Sequence, residues 1–159
     1  MSQWLVALFC IALAVGPAAA DDRANLIGTW KLTGGEVEFQ DTGERRPLYG
    51  ADRIGYIIFT PEGRMMGMIE GDGRKAPQTD EDRVRLFRTM FAYSGLYRLE
   101  GDKWIMAVDI AWNPAWIGTD QVRFYKLEGD RLLVNTPWGP SPTLPGKTTR
   151  VFLTWTRVK

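Results

Sequence analysis

Turn-forming stretches interrupt this chain so often that few long elements fit between them. Gly34-Gly35, Asp41-Thr42-Gly43-Glu44, Pro61-Glu62-Gly63, Gly71-Asp72-Gly73, Glu100-Gly101-Asp102 and Glu128-Gly129-Asp130 follow one another at short spacing. The runs between them are short and rich in β-branched and aromatic residues: 53–60, 64–70, 94–100, 103–112, 121–128, 131–136 and 148–158. Residues 28–40 add one more, bent or bulged at the glycine pair. The pattern predicts eight strands. Their short connections predict antiparallel neighbours in a meander. YRLEGDKW (97–104) and YKLEGDRL (125–132) repeat the same hairpin chemistry, with Gly-Asp able to adopt the positive torsions of a tight turn.

Two segments depart from this rhythm. TDEDRVRLFRTMFAY (79–93) carries an N-terminal threonine cap, acids in its first turn and Val84, Phe87 and Phe91 at helical spacing. It predicts one amphipathic helix between strands three and four, with its apolar stripe buried on the sheet. Completing the core, plugging one barrel end and acting as a lid are all open to it. PWGPSPTLPGK (137–147) holds four prolines and two glycines, so it reads as a stiff loop rather than a strand. Its Trp138 is expected to fold back over an opening.

The segment WLVALFCIALAVGPAAA ends in Ala18-Ala19-Ala20 before Asp21-Asp22, and 1–20 reads as a signal peptide cleaved after Ala20. The first residues carry no basic side chain, and an uncleaved membrane anchor is the alternative, because a run of this length sits at the short edge of a membrane span. Cleavage leaves one domain, 21–159, of 139 residues (159 − 20), long enough for one core. Cys10 leaves with the signal, so the exported protein is expected to be secreted or periplasmic and to hold together without disulfides. With 20 basic and 19 acidic residues and no long run of one sign, nothing points to nucleic acid or stable membrane insertion after cleavage. There is no histidine. That removes the commonest general base and metal ligand, and no nucleophile has a visible base. No catalytic residue, metal or cofactor is assigned, and a monomer or weak dimer is expected.

Eight antiparallel strands hide both edges by closing into a barrel, and that count leaves room for one small ligand. Leu26-Ile27-Gly28-Thr29-Trp30 resembles the Gly-x-Trp signature of lipocalins at the start of their first strand. In lipocalins that tryptophan packs across the closed end against a basic residue of the last strand. Arg157 is the natural partner here, with Arg150 the fallback. IGYIIFTPEGRMMGMI (54–69) and NPAWIGTDQVRFYKLEGDRLLVNTP (113–137) are similar to the bacterial and fungal lipocalin-like domain family, over about residues 25 to 158. The resemblance implies a small calycin-type β-barrel, and with the strands and helix read above the expected fold is all-β, an eight-stranded antiparallel barrel with one short helix inserted between strands three and four. The resemblance implies no single activity. Members often carry a histidine in the strand before the Pro-x-Trp motif, where this chain has Met106, so chemistry resting on that group is not expected to transfer.

Several residues then carry two readings. Gln121, Arg123 and Tyr125 share strand parity. Facing inward, Gln121 and Arg123 would orient a carboxylate, enone or amide. Facing outward, they would be a solvated pair. Asp109 is the one charge in WIMAVDIAW (104–112) and is expected to be buried as a brace for Arg123 or Arg98, or else to act as an acid. Trp112, Trp116 and Trp138 cluster at one strand end, suiting either a flat apolar ligand or a dry core. Met66 and Met68 share parity and would line an accommodating cavity or fill gaps. The reading favoured is a binding module for a small hydrophobic or amphipathic molecule, walled by Tyr56, Met66, Met68, Trp112 and Trp116 and anchored by Gln121 and Arg123. A non-covalent isomerase or cyclase using Asp109 or Glu70 as acid-base group, with Arg123 stabilising charge, is the alternative. An envelope structural domain with a filled core is the third.

Overall fold

A computed structural model describes residues 17–159, with side chains from Asp22 onward. Most of the apolar segment read as a signal peptide therefore lies outside the described residues, and Pro17–Leu26 forms helix α1. Strands follow as β1 (Gly28–Phe39), β2 (Arg45–Pro47), β3 (Ile54–Phe59) and β4 (Arg64–Glu70). Helix α2 (Asp80–Arg88) precedes β5 (Met90–Glu100), β6 (Lys103–Ala111), β7 (Asp120–Glu128) and β8 (Arg131–Asn135). The chain ends with the two-residue β9 (Gly139–Pro140) and β10 (Thr148–Arg157). All neighbours pair antiparallel, and the pairing of β1 with β10 closes β1, β3–β8 and β10 into an eight-stranded barrel. Ladder hydrogen bonds then leave no free edge around the ring. The short β2 and β9 are annexes on β1 and β10, and β9 is the one regular piece of a loop expected to have none.

Alternation along the strands sorts the two faces. Ile57 and Phe59 of β3, Met65 and Ile69 of β4, and Trp104, Met106 and Val108 of β6 turn inward and are buried. With Trp30, Leu132 and Trp155 they form one core cluster, in which Trp30 and Phe59 lie towards α1 and Ile69 towards the other end. Burying side chains of this size is worth about 1.5–3 kcal/mol each. Trp30 Nε1 donates to the Leu26 carbonyl at 2.9 Å, and the Arg157 guanidinium sits 4.1 Å over the Trp30 ring. Arg157 also donates to the carbonyls of Ile27, at 2.9 Å, and Asn25. Arg157 is thus the partner that the Gly-x-Trp signature implied, while Arg150 lies elsewhere, bound to Glu38 at 2.6 Å. Gly28 has φ +127°, and a Cβ there would meet Arg157 Nη1 at 3.1 Å, so this stopper requires glycine.

The opposite end, the mouth, gathers α2, the 3₁₀ turn Pro114–Trp116 and the 137–147 loop. α2 has the expected start, a capping box between Thr79 and Asp82. It stops at Arg88, earlier than expected, because Met90–Tyr93 pairs with β4 and begins β5. No α2 residue is buried, so the expected burial of its stripe on the sheet is corrected. Phe91 belongs to the strand, while Val84 and Phe87 face an open cleft of about 420 Å³ whose far side is Pro142, Thr143 and Pro145. Trp138 does not cover the opening as expected; Arg150 stacks 4.5 Å over its ring on the outer wall.

Tyr49, between β2 and β3, gives the fold an alkaline limit. Burial raises its phenol to about 12 from an ordinary 10.0. The unfolded chain ionises first, so this contribution to stability is complete below pH about 10 and is lost as pH rises towards 12. Burial also raises Tyr125 and Tyr97. The melting temperature is expected to fall steadily across that window, and less steeply in Tyr49→Phe. A slope unchanged in that variant removes Tyr49 as a cause.

Candidate functional site

Gln121, Arg123 and Tyr125 turn into the barrel, because Val122 and Phe124 take the opposite parity on β7. Arg123 is only 8% exposed. Its Nη1 donates to the Val122 carbonyl at 2.7 Å, and both terminal nitrogens reach Gln121 Oε1 only at 3.5 Å. Gln121 is held in turn, since its Nε2 donates to Thr119 Oγ1 at 3.0 Å and that hydroxyl donates to the Trp116 carbonyl at 2.7 Å. The Arg123 guanidinium lies 5.6 Å from the Tyr93 ring centre and 5.9 Å from that of Trp116. No salt bridge to Arg123 occurs among the described residues. Asp109, the carboxylate expected to brace it, is engaged outside by Arg64 at 2.7 Å, and Asp120, on the same strand, by Arg98 at 3.2 Å. A buried guanidinium held by carbonyls and ring faces has no carboxylate against it among the described residues, and its fork of donors suits a planar acceptor.

An aromatic file leads from Arg123 outward. Tyr93 meets Trp116 edge-on at 5.5 Å, Trp116 meets Trp112 edge-on at 5.0 Å, and Trp112 lies 5.7 Å from Phe87 of α2. Phe91 backs the file, 5.3 Å from Tyr93 and 6.2 Å from Trp112. Trp112 Nε1 donates to the Phe87 carbonyl at 3.1 Å, tying α2 to the end of β6. The expected tryptophan pair, Trp112 and Trp116, is therefore brought together with Gln121 and Arg123 at the mouth.

Four other expected site residues are not. Tyr56, Met66 and Met68 point away from the lumen and are 40%, 53% and 48% exposed. They cannot wall an internal cavity. The inward positions of β3 and β4 belong to Gly55, Ile57 and Phe59, and to Met65, Gly67 and Ile69. Asp109 is also outside, half exposed, and its carboxyl is held below the ordinary range first by the hydrogen bonds from Arg64. Its parity is already outward, opposite to Trp104, Met106 and Val108, and a β-bulge, in which Ser94 pairs with Ile110 and Gly95 with Val108, leaves it there as the extra, unpaired residue of β6. Neither expected partner holds Asp109, since Arg98 binds Glu100 and Asp120. Glu70 has outward parity as well, so the acid-base groups considered for a reaction in the lumen stand outside it. Met106, at about the place where resembling proteins carry histidine, is fully buried.

Three contributors went unread in sequence. Tyr93 and Phe91 were hidden by the helical spacing of 84, 87 and 91. Arg53 shares parity with Gly55, Ile57 and Phe59, a signal that was available in the sequence. Its Nη1 donates to the Gly50 carbonyl at 2.7 Å, its Nε is buried without a partner, and a Cβ at Gly35 would lie 3.0 Å from that Nε. Among the described residues no cluster of three or more potential metal ligands occurs, and no helix is long and apolar enough to cross a membrane.

A closed antiparallel barrel with a tryptophan-arginine stopper at one end and an aromatic mouth at the other defines a lipocalin-type architecture. The chain belongs to the lipocalin-like domain family, whose profile matches residues 27–158. No curated protein matches it.

Proposed function

We propose that this chain is an exported binding protein that holds a small hydrophobic or amphipathic molecule at the mouth half of its barrel. One observation carries this reading: Arg123 is buried inside the barrel, with no carboxylate partner among the described residues, beneath Tyr93 and Trp116. The half nearest α1 is filled by Trp30, Trp104, Trp155 and Phe59, so the site is the upper half and not the whole lumen. There the rings of Trp116 and Trp112 offer flat apolar walls, and Gln121 and Arg123 offer a polar anchor. The cleft between α2 and the proline-rich loop is the natural approach, because the aromatic file runs to it through Phe87. Export rests on the sequence pattern of residues 1–20.

Tryptophan fluorescence tests the site. Trp116 and Trp112 emission is expected to shift on titration with apolar ligands. Arg123→Ala is expected to weaken ligands bearing an acceptor by roughly ten- to a hundredfold, the worth of one hydrogen bond to a charged group. The variant is expected to lose less than about 1 kcal/mol of stability, since removing the guanidinium also removes its desolvation cost. A variant that unfolds while affinity is unchanged would make Arg123 a brace and sink the proposal.

A further inference from the structure

We propose that the mouth selects an anionic amphiphile, and that Arg53 is the second guanidinium that makes it do so. The inference rests on the mouth-site reading above. Every carboxylate on the barrel strands, from Glu36 of β1 to Glu128 of β7, has outward parity. The charged side chains of inward parity are all cationic: Arg157, spent in the stopper, Arg123 on β7, and Arg53 just before β3. In the ring order β1-β3-β4-β5-β6-β7-β8-β10, β3 and β7 lie four strands apart, so Arg53 and Arg123 rise from opposite walls.

Arg53 is built in rather than left over. Gly35 provides the bare backbone on which its guanidinium lies, and Gly50 accepts from its Nη1. Its Nε, buried and unpartnered, is a donor with nothing to donate to among the described residues. No salt bridge reaches Arg53 or Arg123 among the described residues. Two cationic side chains of inward parity with no salt bridge among the described residues favour an anion between them. The approach cleft has the same sign, with Arg83 and Arg88 bordering its apolar floor. Of these, Arg83 is paired with Asp80 at 2.8 Å. An uncharged ligand would gain from the rings alone, whereas one with a carboxylate or sulfonate at one end gains from the rings and both guanidiniums.

The test compares two dyes of one ring system on the full chain: anilinonaphthalene sulfonate and its uncharged parent, N-phenylnaphthylamine. The sulfonate is expected to bind at least about tenfold more tightly, and only its affinity is expected to fall with added salt. Arg53→Gln is expected to cut that preference several-fold while leaving the neutral dye within about twofold. Arg53→Lys, which keeps the charge, is expected to keep most of the preference and serves if the glutamine variant does not fold. Equal binding of the two dyes overturns anion selection while leaving the mouth site standing. An unaltered preference in Arg53→Gln overturns the role of Arg53. Failure of both dyes to bind overturns the mouth site and this inference together.

Discussion

Trp30→Ala is expected to cost about 3–5 kcal/mol and to lower the melting temperature by about 10–20 °C. Trp30 has no exposed surface, so its loss leaves a ring-sized void at the closed end. Three further consequences add to the void. Leu26 loses the donor to its carbonyl, Arg157 loses the ring it covers, and α1 keeps only its other ties to the barrel floor, such as Arg157 to the Asn25 carbonyl and the Tyr125 hydroxyl to Asp22. Trp30→Phe separates these effects. It keeps an aromatic face under Arg157 and gives up the hydrogen bond to Leu26, which is worth about 1 kcal/mol. Thermal or denaturant unfolding of both variants checks the ordering. A loss below about 1.5 kcal/mol in Trp30→Ala would mean that the closed end is held by its strands and not by the stopper.

This stopper was legible through the resemblance of Gly28-Thr29-Trp30 to the lipocalin first-strand signature, which implied a basic partner from the last strand; closure of β1 on β10 pairs Trp30 with Arg157. The inward turn of Gln121 and Arg123 was legible in part, because their parity is shared with Tyr125, and burial of the tyrosine carries the other two with it.

The walls of the site were harder to read for a physical reason. On β3 and β4 both faces are apolar: Ile54, Tyr56 and Ile58 outside against Ile57 and Phe59 inside, Met66 and Met68 outside against Met65 and Ile69 inside. Hydrophobic alternation carries no information where both faces are hydrophobic. Small inward residues, Gly55 and Gly67, made the wrong face look heavier. Packing decides between them. A Cβ at Gly55 would lie 2.7 Å from Ile69 Cγ1, so that inward position must stay bare for its neighbour. The end of α2 was obscured by a coincidence, since Phe91 falls at helical spacing from Phe87 and also opposite Ile69 in the ladder.

Asp109 was misread because both faces of WIMAVDIAW are apolar, so nothing in the composition marked its outward parity, opposite to Met106 and Val108; a bulge leaves it unpaired there. The same bulge yields the second large prediction: Gly95→Ala is expected to cost on the order of 4 kcal/mol or more, near the top of the range for single substitutions. A Cβ at Gly95 would lie 1.9 Å from the Ala107 carbonyl oxygen and 2.8 Å from its carbon. Both are backbone atoms of β6, so no rotamer change relieves the overlap, and the strands must separate where they cross most closely. Separation would also disturb the clamp on the outer face. There Arg64 binds Asp109 at 2.7 and 3.0 Å and Ser94 Oγ at 3.1 Å, and Ser94 donates to the Met65 carbonyl at 3.0 Å. Gly67→Ala is the control on the adjacent strand. Its Cβ would find Met65 and Tyr93 side-chain carbons at 3.6 Å, ordinary contact, and the change is expected to stay within about 1 kcal/mol of the parent. If Gly95→Ala unfolds at the same denaturant concentration as Gly67→Ala, β5 and β6 have room to spare, and the bulge at Asp109 is not what draws them together.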